Sequence, residues 1–288
     1  MDEILSVNGL TKKYPKFTLD HVGFNVKKNN IVGFIGPNGA GKTTTIKLIL
    51  GLIHQDAGNI KYFDTESDKL NFNDVKNRIG VVLDDACFYD EFTIDNMKSI
   101  IAPAYSNWDD KIYKEYIERF HLNPKQKISS LSKGMKVKFS LALALSHNAE
   151  LLIMDEPSSG LDPIIRKQLN EILLEYVHKD NNSIFYSTHI TSDLDKIADT
   201  LVCIDHGKIQ FFEKKSDILS KYIYFSGEIK NMDKTKVNSL PLYVENEGEF
   251  YALSEKEGII QNPNFKYRKP NIEEVMMCFV KREVQQIW

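Results

Sequence analysis

Cysteine is scarce in this 288-residue chain: Cys87, Cys203 and Cys278 stand far apart and form no CxxC pair. Nothing here supports a disulfide framework or a cysteine-based zinc site, and the usage suits a reducing compartment. Long apolar runs are also lacking. No stretch approaches the ~20 apolar residues that span a bilayer, so in any membrane process a second chain must supply the pore. The segment from Met1 to Gly9 carries acids and no apolar core, unlike a secretory leader. Excess positive charge is absent as well. A formal net charge of -3 argues against a broad nucleic-acid footprint, and short pairs such as Lys12-Lys13 and Lys27-Lys28 read as solvated surface. Internal repeats and low-complexity tracts are missing. What remains is ordinary globular material, 42% hydrophobic and 27% charged, long enough for one large domain or a large and a small one.

The first 220 residues alternate short apolar runs with helical stretches, which predicts an α/β domain with a largely parallel sheet. Buried-strand runs fall at Ile31–Ile35, Ile79–Leu83, Leu151–Met154 and Ser183–Ser187. They end, respectively, in a glycine-rich loop, at Asp84-Asp85, at Asp155-Glu156 and at Thr188-His189. Ligands of open α/β sheets bind at the carboxyl ends of strands, so the chemistry collects along one edge. Residues 44–52 read as a helix and residues 200–212 as a hairpin turning at Asp205-His206-Gly207-Lys208. Met135, Val137, Phe139, Leu141, Leu143 and Leu145 alternate as a strand would. The intervening Ala142 and Ala144 and the leucines favour a helix, and a buried helix is the reading adopted. From about Ser220 the texture becomes polar and β-leaning. Tyr222–Phe225 and Phe250–Leu253 are candidate strands, and after Pro270 the residues Ile272, Val275, Met276 and Phe279 recur at helical spacing. This divides the chain into a domain of residues 1–220 and a small α+β module of residues 221–288.

Gly36-Pro37-Asn38-Gly39-Ala40-Gly41-Lys42-Thr43 matches GxxxxGK[ST] in full, between a strand and a helix. Its backbone N–H groups and the helix N-terminus suit a polyphosphate, with Gly36, Asn38, Gly39, Ala40, Gly41 and Thr44 around it. Lys42 is expected on the β- and γ-phosphates, and Thr43 on Mg²⁺. That motif alone says only nucleoside triphosphate; no NKxD guanine motif is present. Asp155 and Glu156, two carboxylates after an apolar strand, suit metal binding and polarisation of a water.

Leu131-Ser132-Lys133-Gly134-Met135, Ser158-Ser159-Gly160-Leu161-Asp162 and His189 follow in an order that resembles the ABC nucleotide-binding domain over residues 1 to about 220. The resemblance implies a RecA-like P-loop fold with a mostly parallel sheet, antiparallel β elements and a helical subdomain at about residues 85–150. It implies ATP and Mg²⁺ as ligands. Tyr14 would stack on adenine, Ser132 and Gly134 would cap the γ-phosphate held by the opposite subunit, and Asp162 would link the two sites. Glu156, His189 and Lys42 would form the catalytic set, and Asp155, Thr43 and Asp84 the metal set. Asp84 stands where the family usually has Gln, and Lys133 where its best-known signature has Gly. Cys87-Phe88-Tyr89 and Phe92 fall where a membrane subunit would dock, though intradomain packing explains them as readily.

Pro270-Asn271-Ile272-Glu273-Glu274-Val275 resembles an ending common in ATPases of drug, peptide and antibiotic exporters. The resemblance thus implies an exporter ATPase at the cytoplasmic membrane face. It would work with a transmembrane permease and a second copy or related ATPase, and without nucleic acid. A soluble ABC ATPase without a pore, such as an iron–sulfur assembly ATPase, is the alternative; such proteins usually lack the C-terminal module.

Overall fold

A computed structural model describes residues 3–63, 65–66, 72–84, 88–180 and 182–280. Asp85 and Cys87, and residues 281–288 of the C-terminal module, lie outside the described residues.

Three sheets organise these residues. The first is antiparallel, in the order β2-β1-β4-β5, built from β1 (Glu3–Tyr14), β2 (Phe17–Lys27), β4 (Ala57–Tyr62) and β5 (Thr65–Glu66). The second is six-stranded, in the order β10-β9-β3-β8-β7-β6. It joins β3 (Ile31–Ile35), β6 (Ile79–Leu83), β7 (Leu151–Asp155), β8 (Ser183–Thr188) and β9 (Thr200–Asp205) in parallel, with β10 (Lys208–Lys214) antiparallel at one edge. The third, antiparallel in the order β12-β13-β11-β14, holds β11 (Tyr222–Glu228), β12 (Leu242–Asn246), β13 (Glu249–Glu255) and β14 (Lys266–Arg268). The helices are α1 (Lys42–Ile49), α2 (Phe72–Asn77), α3 (Ile94–Ile101), α4 (Asp110–Arg119), α5 (Lys133–Leu145), α6 (Pro163–Asp180), α7 (Thr191–Ile197), α8 (Lys215–Lys221) and α9 (Ile272–Val280).

The central strands are apolar throughout because both faces of their sheet are covered. Alternate side chains feed two cores. Val32, Phe34, Ile153, Phe185 and Val202 face the antiparallel sheet and α1, where Phe24, Phe34 and Phe185 meet with ring centroids 5.0–5.7 Å apart. Ile31, Ile35, Leu152, Met154 and Tyr186 face the other core. The segment whose alternation suggested a strand is the helix α5: Val137 and Phe139 through Leu145 are all buried, so apolar residues surround the helix and its 3.6-residue period is hidden. Ile218, Tyr222, Leu253, Ile272, Val275 and Cys278 belong to the same core as α5 and β7. Helix α9 thereby ties the third sheet to the body, with Ile272 N–H donating to Asp195 on α7 at 3.2 Å.

Candidate functional site

Strand register delivers the chemistry. In the parallel ladder Ile35 lies opposite Thr188, Asp155 opposite Ser187, and Leu83 opposite Asp155. Four strand ends therefore finish at one level, carrying Gly36, Asp84, Asp155-Glu156 and Thr188-His189 to a common edge.

The loop after β3 needs its glycines. Gly39 and Gly41 have φ of +81° and +113°, the left-handed region closed to most side chains. At Gly36 an added Cβ would collide with the Ile204 carbonyl oxygen on β9. The loop folds around the Lys42 ammonium, which is 6% exposed and donates to the carbonyls of Gly36 at 2.8 Å and Pro37 at 3.2 Å. Ala40 is buried and its carbonyl accepts from Gly207 N–H at 2.9 Å, fixing the loop to the β9–β10 turn. Asn38 and Gly39 are exposed, Thr43 is exposed at the start of α1, and Thr44 is half-buried beside it.

Across the ladder, Asp155 is 5% exposed and accepts from Thr43 Oγ1 at 2.8 Å and Ser187 Oγ at 2.9 Å. Burial pushes its carboxyl above the ordinary value of 3.8, against the downward pull of those hydroxyls, and the Glu156 charge adds to the rise. A buried anion between two hydroxyls favours a cation nearby. Mg²⁺ takes oxygen ligands, and usually only one or two from protein with the rest from water and phosphates. The Thr43–Asp155 pair fits that chemistry, and no cluster of three or more His, Cys, Asp or Glu suited to a metal occurs among the described residues. These two side chains would hold the ion, whose charge would offset that of the phosphates.

Glu156 has φ of +48°, uncommon for a residue with a side chain, at a cost of about 1–3 kcal/mol. Its Oε1 lies 3.3 Å from Lys42 Nζ. Its Oε2 lies 2.8 Å from His189 Nδ1, and accepts from His189 N–H at 3.2 Å and Thr188 Oγ1 at 3.3 Å. A carboxylate fixed by an imidazole and a cation beside a phosphate loop can orient a water for in-line attack.

Lys42, Thr43, Asp155, Glu156 and His189 are thus one connected cluster. Tyr14 ends β1 with 41% of its surface exposed, opposite Phe17 in the hairpin. Phe17 Cζ stands 3.0 Å from where a Cβ on Gly41 would be, so an aromatic ring flanks the loop that the sequence reading had not singled out. Ser132 and Asp162 each cap a helix: Ser132 Oγ accepts from Met135 N–H at 3.2 Å, and Asp162 accepts from Ile164 and Ile165 N–H at 3.0 Å. Gly134 is half-buried in the first turn of α5. The Asp84 carboxylate meets Lys133 Nζ at 2.6 Å. Ser187 and Lys133 were also absent from the expected set. Only strand register reveals the first, and only the 49-residue separation of a folded ion pair the second.

Comparison with known proteins agrees with this geometry. The ABC transporter family model matches residues 19–159. The bacitracin transport ATP-binding protein BcrA of Bacillus licheniformis is 36% identical over 212 residues, 73% of this chain and 69% of that protein. The lantibiotic transport ATP-binding protein SrtF of Streptococcus pyogenes is 32% identical over 218 residues, 74% and 92% of the two chains. A solved ATP-binding subunit of an ABC transporter superposes with a TM-score of 0.67 at 28% identity, covering 75% of this chain and 91% of its own. A dimeric ATP-binding cassette bound to ADP and Pi gives 0.65 at 20% identity, covering 73% and 98%, a likeness of fold. The chain belongs to the ABC transporter ATP-binding proteins, and it is an ATPase of that family.

Proposed function

We propose that this ATPase closes as a dimer around ATP and drives export of a peptide, antibiotic or other amphipathic substrate through a separate membrane subunit. The observation that carries the reading is the Lys42–Glu156–His189 cluster beside the phosphate loop. The names of BcrA and SrtF support bacitracin-like or lantibiotic-like cargo. Among the described residues no helix is long and apolar enough to cross a membrane, so the passage belongs to the partner. An apolar groove of about 230 Å³ lined by Ile49, Leu52, Val75, Val81, Leu83 and Tyr105 offers that partner a docking surface next to the end of β6. Phe88, Ile101 and Leu143 continue it on the other side, and exposed Tyr89 meets Phe92 at a tilt beyond them.

In this reading Glu156 holds the attacking water, His189 positions Glu156, and Lys42 balances charge on the phosphates. Thr43 and Asp155 attend Mg²⁺, while Asp84, expected beside them, is engaged by Lys133. Ser132, Gly134 and Asp162 serve the site of the opposite subunit, and Tyr14 the base. Residues 221–288 stabilise or regulate the dimer and supply no phosphate contact. Membrane vesicles containing this chain and a polytopic membrane protein that co-purifies with it test the function. Uptake of a labelled amphipathic peptide into inverted vesicles should require ATP and vanish with Lys42→Ala. Co-purification with soluble scaffold proteins instead would favour the pore-free ATPase.

A further inference from the structure

Asp84 departs from the family's usual Gln, and in the fold it meets Lys133 of the signature segment. Lys133 opens α5 immediately after its cap Ser132. A cation is unfavourable at a helix N-terminus, and no acidic residue stands in the first turn of α5 to offset it. The compensating charge comes from Asp84, whose Oδ1 lies 2.6 Å from Lys133 Nζ. The Lys133 stem also crosses Gly160: a Cβ there would stand 3.4 Å from Lys133 Cδ and 3.7 Å from Nζ. One turn on, Lys136 reaches Asp90 at 3.3 Å. These pairs bridge a cleft of about 320 Å³ lined by Leu83, Asp84, Leu131, Lys133, Lys136 and Val137. From the start of α5, Lys133 therefore reaches two other segments: the end of β6 and the loop ending at Asp162.

The pair is well formed but weakly held. The two side chains are 44% and 42% exposed, and water screens such pairs. A polyphosphate brought to the N-terminus of α5 carries several negative charges and meets the helix dipole as well. It outcompetes one exposed carboxylate. We propose that Asp84 holds Lys133 in the nucleotide-free protomer, and that on closure Lys133 transfers to the phosphates bound by the second copy, freeing Asp84. Lys133 is then a phosphate-contacting residue whose release from Asp84 couples the groove-side end of β6 to the dimer face. The inference rests on the ATP-dependent dimer proposed above.

The test is the ATP concentration at half-dimerisation, read by light scattering with excess Mg²⁺ in a Glu156→Gln background. Asp84→Asn frees Lys133 in both protomers and should lower that concentration about 1.4- to five-fold, as expected of two exposed pairs acting on a closure that takes up two ATP. Lys133→Met should raise it. With Lys133→Met already present, Asp84→Asn should no longer lower it. An effect of Asp84→Asn that is absent, or equal with and without Lys133, overturns the exchange while leaving the dimer intact. Absence of any ATP-dependent dimer in the Glu156→Gln parent overturns the dimer reading itself, and the exchange with it. Amine labelling of Lys133 gives a second readout. It should rise in nucleotide-free Asp84→Asn and fall on ATP-driven closure; labelling that Asp84→Asn leaves unchanged contradicts the pairing.

Discussion

Asp155→Asn should stabilise the nucleotide-free protein while weakening its response to Mg²⁺-ATP. The carboxylate is buried, has Glu156 next to it, and is raised above 3.8 chiefly by burial. A raised folded-state value means the fold prefers the protonated form. The stability contributed by that preference is complete below about pH 3.8 and is lost as pH climbs through the folded value. At neutral pH the ionised side chain is therefore a cost. The amide removes the charge and keeps an acceptor for Thr43 or Ser187, whose hydroxyls can reorient toward its NH₂. Relief of a destabilised functional site is worth about 0.5–2 kcal/mol. At roughly 2–4 °C per kcal/mol for a large domain, Tm should rise by several degrees at most. A thermal-shift series from pH 4 to 8 in EDTA measures it: the two proteins should converge at the acid end and separate as pH rises. Adding Mg²⁺-ATP should then reverse the order. A ligand at 100 times its Kd adds about 2.7 kcal/mol, and the variant should forfeit most of that. A loss of stability at pH 7.5 without nucleotide, or a difference independent of pH, would refute the electrostatic argument.

Gly36→Ala should abolish ATP binding and lower Tm, because its Cβ collides with the Ile204 carbonyl oxygen, a backbone atom that cannot swing aside; isothermal titration and melting curves check both. Lys42→Ala should weaken ATP binding by the monomer, whereas Ser132→Arg should chiefly block dimer closure, and equal losses of monomer affinity would contradict the trans arrangement. Val275→Ala, at a site 1% exposed in the shared core, should cost about 2 kcal/mol in urea unfolding and spare nucleotide affinity in the folded fraction. Burial holds His147 below its ordinary 6.5. Its stabilising preference for the neutral ring is present above about pH 6.5 and lost as pH falls through the folded value. His147→Gln should accordingly flatten the acid limb of the stability profile below pH 6.5.

Each central strand was legible in the sequence because both of its faces are buried, so the apolar run and its polar end mark strand and site together. Ile31–Ile35 and Leu151–Asp155 show this most plainly. The antiparallel hairpin at residues 200–212 was located, but the strands of the first sheet were anticipated only in kind. Bulges between Val7, Leu10 and Lys12 break the two-residue alternation of β1, so its period fades over those residues. At the site, local motifs identified the cluster of Lys42, Thr43, Asp155, Glu156 and His189. What was not legible depends on pairing at a distance. Ser187 becomes a partner of Asp155 only through the β7–β8 register. Lys133 becomes a partner of Asp84 only after α5 is packed across β6. The merging of α9 into the main core is of the same kind: the helix was readable, but not the surface of α7 that receives it.

Glu156 is the residue on which hydrolysis turns. It is the carboxylate that the ladder sets between Lys42 at 3.3 Å and His189 at 2.8 Å. The measurement is single-turnover ATP hydrolysis by Glu156→Gln, run beside size-exclusion chromatography with ATP and Mg²⁺. Hydrolysis should fall by ~10²–10⁴, as for a lost general base, while ATP stays bound in a stable dimer. Turnover near that of the unaltered protein, or failure to retain ATP, would contradict this role of Glu156.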